Sequence, residues 1–318
     1  ELPFSFVDHA LRCGDSLVGL TRAQIEAFRW DAVATRAGES ADPAGVKVRG
    51  DAIVRAFFRG ERERERERGR VALAEVAARA RAGEAAGSEA LRRCAAGLRG
   101  GGRPVLPFHW EVEYPAIFGR EAPGFDCVIG NPPFMGGVRI SSALSPAYLA
   151  YITAAFPGAG GQTDLAAYFF RRGFALLREG GTLGFLSTNT VSQGDTRKAG
   201  LLPILRAGGS IYAARRRVRW EGAATVLSSV VWIVRGAAPQ PAWLDGRAVP
   251  RISAFLRALG GDADPARLRE NAGIAFKGME PYGDGFVFAD GNAAANSREE
   301  LRAVLARDPR NAARIFPY

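Results

Sequence analysis

Hydrophobic positions change their period several times along the chain. Leu11 to Val18 predicts a short strand leading into a turn at Gly14-Asp15. Residues 21–105 are rich in Ala, Arg and Glu, and Leu73, Val76, Ala77 and Ala80 fall at helical spacing. Within them, Glu61 to Arg68 alternates Glu and Arg, which fits either a solvated helix face or a DNA contact. An aromatic-rich stretch, residues 104–120, should pack on the core. Phe125 to Ile129 then predicts a buried strand, followed at once by Asn131-Pro-Pro-Phe134. From Thr163 a helix is expected, with Ala166, Phe170, Phe174 and Leu177 on one face and Gly180-Gly181 as its end. A strand over Thr182–Thr188, a helix-turn-strand passage over 195–218 and a long strand from Val226 to Val234 complete the pattern.

Strands alternating with helices predict an α/β sheet with helix-covered faces, interrupted by a helical insertion at about 21–105. Residues 1–235 form the expected partial catalytic domain. Pro239, Pro241 and Pro250 mark a linker over 236–250. Residues 251–318 follow as a different region: a short helix, a glycine-rich aromatic stretch from Gly278 to Gly291, and a helix from Ser297.

Composition narrows the class. No run of eighteen apolar residues occurs, so no membrane partner is expected, and no secretory signal pattern opens the chain. The three cysteines, Cys13, Cys94 and Cys127, are far apart and read as reduced thiols of a cytoplasmic protein. His9 and His109 alone do not suit a histidine zinc site, and no metal is expected. The net charge of +10 comes almost wholly from arginine, since Lys47, Lys198 and Lys277 are the lysines. That excess fits a polyanion such as double-stranded DNA, and equally the codon bias of a GC-rich genome. Glu1 opens the chain and Met occurs at 135 and 279, which predicts a piece of a longer polypeptide.

Asn131-Pro132-Pro133-Phe134 carries the chemistry. A turn at the carboxyl end of a strand in an α/β sheet is where ligands bind. Each proline locks its own φ and restricts the residue before it, leaving the Pro132 carbonyl as a rigid acceptor. The Asn131 amide oxygen is a second acceptor. Two acceptors aimed at one point suit an amino group with two hydrogens. Phe134 offers a flat face for an extruded base, and Met135-Gly-Gly137 lets a ligand approach closely.

These residues resemble motif IV of the amino-group methyltransferases. The flanks resemble the type IIG restriction–modification N6-adenine DNA methyltransferases: Phe6 to Leu17, Phe108-His-Trp110 with Glu113-Tyr-Pro115, Gly124-Phe-Asp126, Asp195-Thr-Arg197, and Asp308-Pro-Arg-Asn311 with Phe316-Pro-Tyr318. The resemblance implies a Rossmann-like sheet, S-adenosyl-L-methionine as cofactor, and double-stranded DNA as partner. It gives Asn131, Pro132, Pro133 and Phe134 to catalysis, and Asp15 with Ser16 to the cofactor. Ser187 to Thr190 would line the same pocket. Trp220 is a wall or a core residue. Residues 251–318 would begin the target-recognition region. The glycine-rich cofactor loop of the family belongs upstream of Asp15, so an N-terminal cofactor-binding segment is expected in the same or a partner chain. RNA or protein amino-group methylation, or DNA binding without catalysis, remain alternative readings.

Overall fold

Apolar stripes on short helices build the first layer. The computed structural model describes residues 10–31, 42–100, 102–219, 227–264 and 287–315, and divides into two compact units, Glu1–Asp262 and Ala263–Tyr318. Helix α1 (Arg22–Glu26) starts on a reciprocal cap between Thr21 and Gln24. Helix α2 (Pro43–Arg59) starts at Asp42, whose carboxylate accepts from the Gly45 N–H, with Pro43 in the first turn. Helices α3 (Glu63–Arg81) and α4 (Ala85–Ala96) pack with α2. Ile53 and Phe57 of α2 and Ala77 of α3 lie in one apolar core, with Leu73, Val76 and Ala80 against it. The expected helical face of 21–105 is therefore the packed face. The Glu-Arg alternation is mostly solvated. Arg66 departs from it, lying 4.2 Å over the Phe57 ring and donating to the Gly60 carbonyl.

The segment 104–120 folds as two single turns, α5 (Trp110–Glu113) and α6 (Pro115–Phe118). Phe125 is ringed by Trp110, Tyr114 and Phe118 at 5.8, 5.4 and 5.6 Å, all edge-on. Strand β1 (Phe125–Gly130) follows, then α7 (Gly137–Ala143), α8 (Pro146–Ala155) and α9 (Leu165–Ala175). Strand β2 (Leu177–Thr188), α10 (Gly194–Ala199), α11 (Leu201–Arg206), β3 (Gly209–Arg219) and β4 (Leu227–Arg235) come next. Two short strands, β5 (Ala242–Leu244) and β6 (Arg247–Val249), close the sheet in the order β1-β2-β4-β3-β5-β6. β1 runs parallel to β2, while β4 is antiparallel to both β2 and β3. The carboxyl ends of β1, β2 and β3 therefore share one end of the sheet. The second unit has α12 (Arg298–Arg307), capped by Ser297 with Glu300 as expected.

The α/β class is as expected, and several elements differ from their sequence reading. Leu11 to Val18 is a turn with one isolated bridge, Asp15 to Pro107, because the Asp15 carboxylate caps the local N–H groups. β1 is not buried: it is an edge of the described sheet, and Ile129 is 83% exposed. α9 ends at Ala175, before Gly180-Gly181. Both glycines lie in β2, where the β1 pairing slips between Phe125 and Cys127. The supposed linker 236–250 holds β5 and β6, for its prolines flank the pairing positions instead of interrupting them. The short helix after 251 is a set of turns, with Ile252 bridged to Ile211. Phe6 to His9, Trp220, Val226, Gly278 to Phe286 and Phe316 to Tyr318 lie outside the described residues.

A buried polar pin joins the helical layer to the segment before β1. His109 is fully buried. Its Nδ1 accepts from the Leu20 N–H at 3.0 Å, so the hydrogen resides on Nε2, which faces Asp51 Oδ1 at 3.2 Å. Replacing His109 by Ala orphans the Leu20 N–H, at roughly 1–3 kcal/mol, and leaves Asp51 with Arg99 at 3.6 Å. The expected outcome is a lowered urea midpoint with an unchanged slope.

Candidate active site

The Asn-Pro-Pro-Phe turn stands where the sheet stops. Asn131 follows the last residue of β1 and is exposed. Its side-chain amide makes no hydrogen bond among the described residues, so both its acceptor and its donors face outward. Pro132 is buried and anchors the turn. The Phe134 ring is 37% exposed. An exposed amide and a partly exposed ring thus flank a buried proline just past the end of β1.

The next segment fixes the turn from below. The Leu165 N–H at the start of α9 donates to the Met135 carbonyl at 2.8 Å. Asp164 caps that helix through the Ala166 N–H, and its own N–H is held by Thr196 Oγ1 at 3.1 Å. Gly137 is required by close approach. A Cβ there would stand 2.5 Å from the Gly161 carbonyl oxygen and 2.8 Å from the Thr163 nitrogen.

Asp15 and Ser16 lie in a turn held by α8 and by the aromatic segment before β1. Asp15 Oδ1 accepts from the Leu17 and Val18 N–H groups and from Tyr148 Oη of α8. Burial, and then the Asp15 charge, push the Tyr148 hydroxyl well above its usual range. Burial pushes neighbouring Tyr151 up to about 12. The Ser16 carbonyl accepts from Trp110 Nε1 at 3.1 Å. Trp110 touches Phe125, at the start of β1. Asn131 lies six residues on, about 20 Å along an extended chain. No described hydrogen bond or ring contact joins Asp15 or Ser16 to residues 131–134.

Ser187 to Thr190 end β2 beside the turn, yet Asn189 points the other way. Its Oδ1 accepts from Ser229 Oγ of β4 at 2.8 Å and from the Arg217 N–H of β3 at 3.3 Å. Ser187 is fully buried and its Oγ has no described partner. Sequence reading missed Tyr148, which meets Asp15 from 133 residues away. No local spacing carries that signal. Among the described residues no cluster of His, Cys, Asp and Glu is gathered for a metal. No described helix is long and apolar enough to cross a membrane.

Residues 103–201 match the family model of the Eco57I restriction-modification methylases. The match takes in the aromatic segment, β1, the Asn131–Phe134 turn, α9 and β2. Among solved structures, the chain is similar to the type IIL restriction-modification enzyme MmeI, in a complex with DNA. The identity is 19% and the TM-score 0.45, covering 64% of this chain and 29% of that one. It is also similar to a Listeria monocytogenes protein described as a class I S-adenosylmethionine-dependent methyltransferase, at 14% identity and a TM-score of 0.30, covering 50% and 44%. At these TM-scores neither likeness bears on the site. The chain thus spans less than half the length of either solved structure. No curated protein matches the chain.

Substituting Gly137 by Ala is expected to push the 160–163 backbone away and loosen the Asn131–Phe134 turn. The expected result is a lowered melting temperature together with faster hydrogen exchange at the Leu165 amide.

Proposed function

We propose that this chain is the catalytic part of a DNA methyltransferase that moves a methyl group from S-adenosylmethionine to the exocyclic amino nitrogen of a flipped adenine. The observation that carries the reading is the uncommitted amide of Asn131 beside Pro132 and the open Phe134 ring, at the carboxyl end of β1. The Asn131 oxygen and the Pro132 carbonyl accept the two N–H groups of the base. That arrangement draws the nitrogen lone pair out of conjugation with the ring. As positive charge grows on the nitrogen, the same two acceptors stabilise it, and the nitrogen then releases a proton to solvent. Phe134 stacks on the base and repays part of its unstacking, which costs on the order of a few kcal/mol.

The cofactor supplies an electrophilic methyl when bound. Asp15 Oδ1 is committed to its turn, while Oδ2 makes no hydrogen bond among the described residues. Asp15 and Ser16 are the residues this chain offers to the cofactor's adenine end. The exposure of β1, an edge of the described sheet, supports the view that a further strand, carrying the glycine-rich turn, pairs along it.

A charged strip supports DNA as partner. Arg215, Arg216, Arg217 and Arg219 are exposed along β3, at the sheet end that Asn131 follows. Asp245 neutralises Arg216 in a two-pronged pair, which leaves Arg215, Arg217 and Arg219 to meet phosphates.

The test uses the complete polypeptide and tritiated S-adenosylmethionine, with DNA, RNA and protein offered in parallel. Label is expected in DNA, as N6-methyladenine after nucleoside digestion; label in RNA or protein alone, or N4-methylcytosine alone, overturns the assignment. Asn131→Ala is expected to lower transfer by about 10²–10³-fold or more with DNA affinity nearly unchanged. In a second series, Arg215→Glu and Arg219→Glu should each weaken DNA binding and reduce the slope of log affinity against log salt by about 1. Equal slopes in wild type and variants would remove β3 from the interface.

A further inference from the structure

A second concavity lies at the opposite end of the sheet from Asn131. Arg235 closes β4 opposite Gly209, the first residue of β3, and donates to the carbonyl of Leu177, the first residue of β2. The cavity beside it has a volume of about 420 Å³. Trp30, Phe156 and Phe174 give it aromatic walls, and Arg171, Arg172 and Arg235 bring three guanidinium groups to it.

These cations lack counter-charge. Arg171 donates to the Pro157 carbonyl at 2.8 Å, and Arg172 to the Leu17 carbonyl at 3.0 Å. Arg172 Nε is buried with no described hydrogen-bond partner. Neither makes an ion pair with a carboxylate among the described residues. Asp15 and Glu111 act on Arg172 only at a distance. Arg235 faces Glu179 at 3.7 Å, but that carboxylate is 79% exposed and weakly held. Arg171 and Arg172 lie 5.4 and 5.2 Å from the Phe156 ring, and Arg235 lies 5.7 Å from Phe174. Burial depresses both Arg171 and Arg172 below the ordinary arginine value.

Partly desolvated guanidiniums that face carbonyls and rings are costly without an anion. Planar guanidiniums match the oxygens of phosphate. The volume falls in the range of small-molecule pockets, about 300–1,000 Å³, and exceeds the need of a bare phosphate. Aromatic walls suit the apolar body of a larger ligand. We infer that this pocket binds a free mononucleotide, its phosphate on Arg171, Arg172 and Arg235 and its base against the aromatic wall. The site is separate from the Asn131 turn and does not depend on the methylation reading.

Calorimetric titration of the whole chain with AMP, with inorganic phosphate and with an oligonucleotide lacking terminal phosphates tests this. AMP is expected to bind at least ten-fold more tightly than phosphate. Arg171→Gln and Arg235→Gln should each weaken AMP by ten-fold or more, and Trp30→Ala should erase its advantage over phosphate. Asn131→Ala and saturating S-adenosylhomocysteine should leave AMP binding unchanged. Arg172, whose Nε is buried, is left in place. Absence of AMP binding up to millimolar concentration overturns the proposal. So does AMP binding that neither arginine variant weakens, or that S-adenosylhomocysteine displaces, or binding of the oligonucleotide alone through Arg171.

Discussion

Gly173 sets how closely α9 lies on β2. A Cβ there would meet Leu183 Cδ1 at 2.8 Å and the Phe185 ring at 3.1 Å, so the helix rests directly on the strand. Phe170 meets Phe185 edge-on at 5.3 Å one turn earlier. With its axis fixed this way, α9 presents the Leu165 N–H to the Met135 carbonyl at its other end. Placement of the Asn131 turn therefore depends on a contact just over two helical turns away. Asn131, Pro133 and Phe134 of the turn stay exposed, as the proposed admission of a base requires.

The part of this arrangement that obeys a local period was legible in the sequence. Ala166, Phe170 and Phe174 recur at helical spacing, and all three are buried. The Asn131 turn could be placed because its two prolines dictate backbone geometry regardless of context. What failed was what depends on neighbours. Phe125 to Ile129 is apolar enough for a central strand, but burial is decided by what lies on each side, and here one side of β1 is open. Gly180-Gly181 looks like a helix stop and instead serves a bulge, because Leu177 already pairs with Phe125. Prolines at 239, 241 and 250 hide two short strands, since only positions facing a partner need an N–H.

The residues proposed for the cofactor show the same division. Gly14-Asp15 announces a turn, and the carboxylate does hold that turn. Whether the carboxylate also serves a ligand is set by Tyr148, which consumes further capacity of Oδ1 from a helix far along the chain. A three-fold acceptor on one oxygen fixes the carboxylate plane, and with it the direction of Oδ2. Tyr148 is thus a positioning group for Asp15, and its raised pKa keeps the donated proton in place across the physiological range.

Charge separates the two ends of the sheet by kind as well as by distance. At the end that Asn131 follows, the arginines of β3 stand exposed on a strip, where each meets solvent and is screened by salt. At the other end Arg171 and Arg172 are drawn against Phe156, where screening is weak and an unpaired cation is felt strongly. An extended polyanion can lie along the first, while the second is a concavity of about 420 Å³ with room for a small ligand. Composition alone reports one excess of arginine. Burial divides that excess into a surface for a long partner and a pocket for a short one.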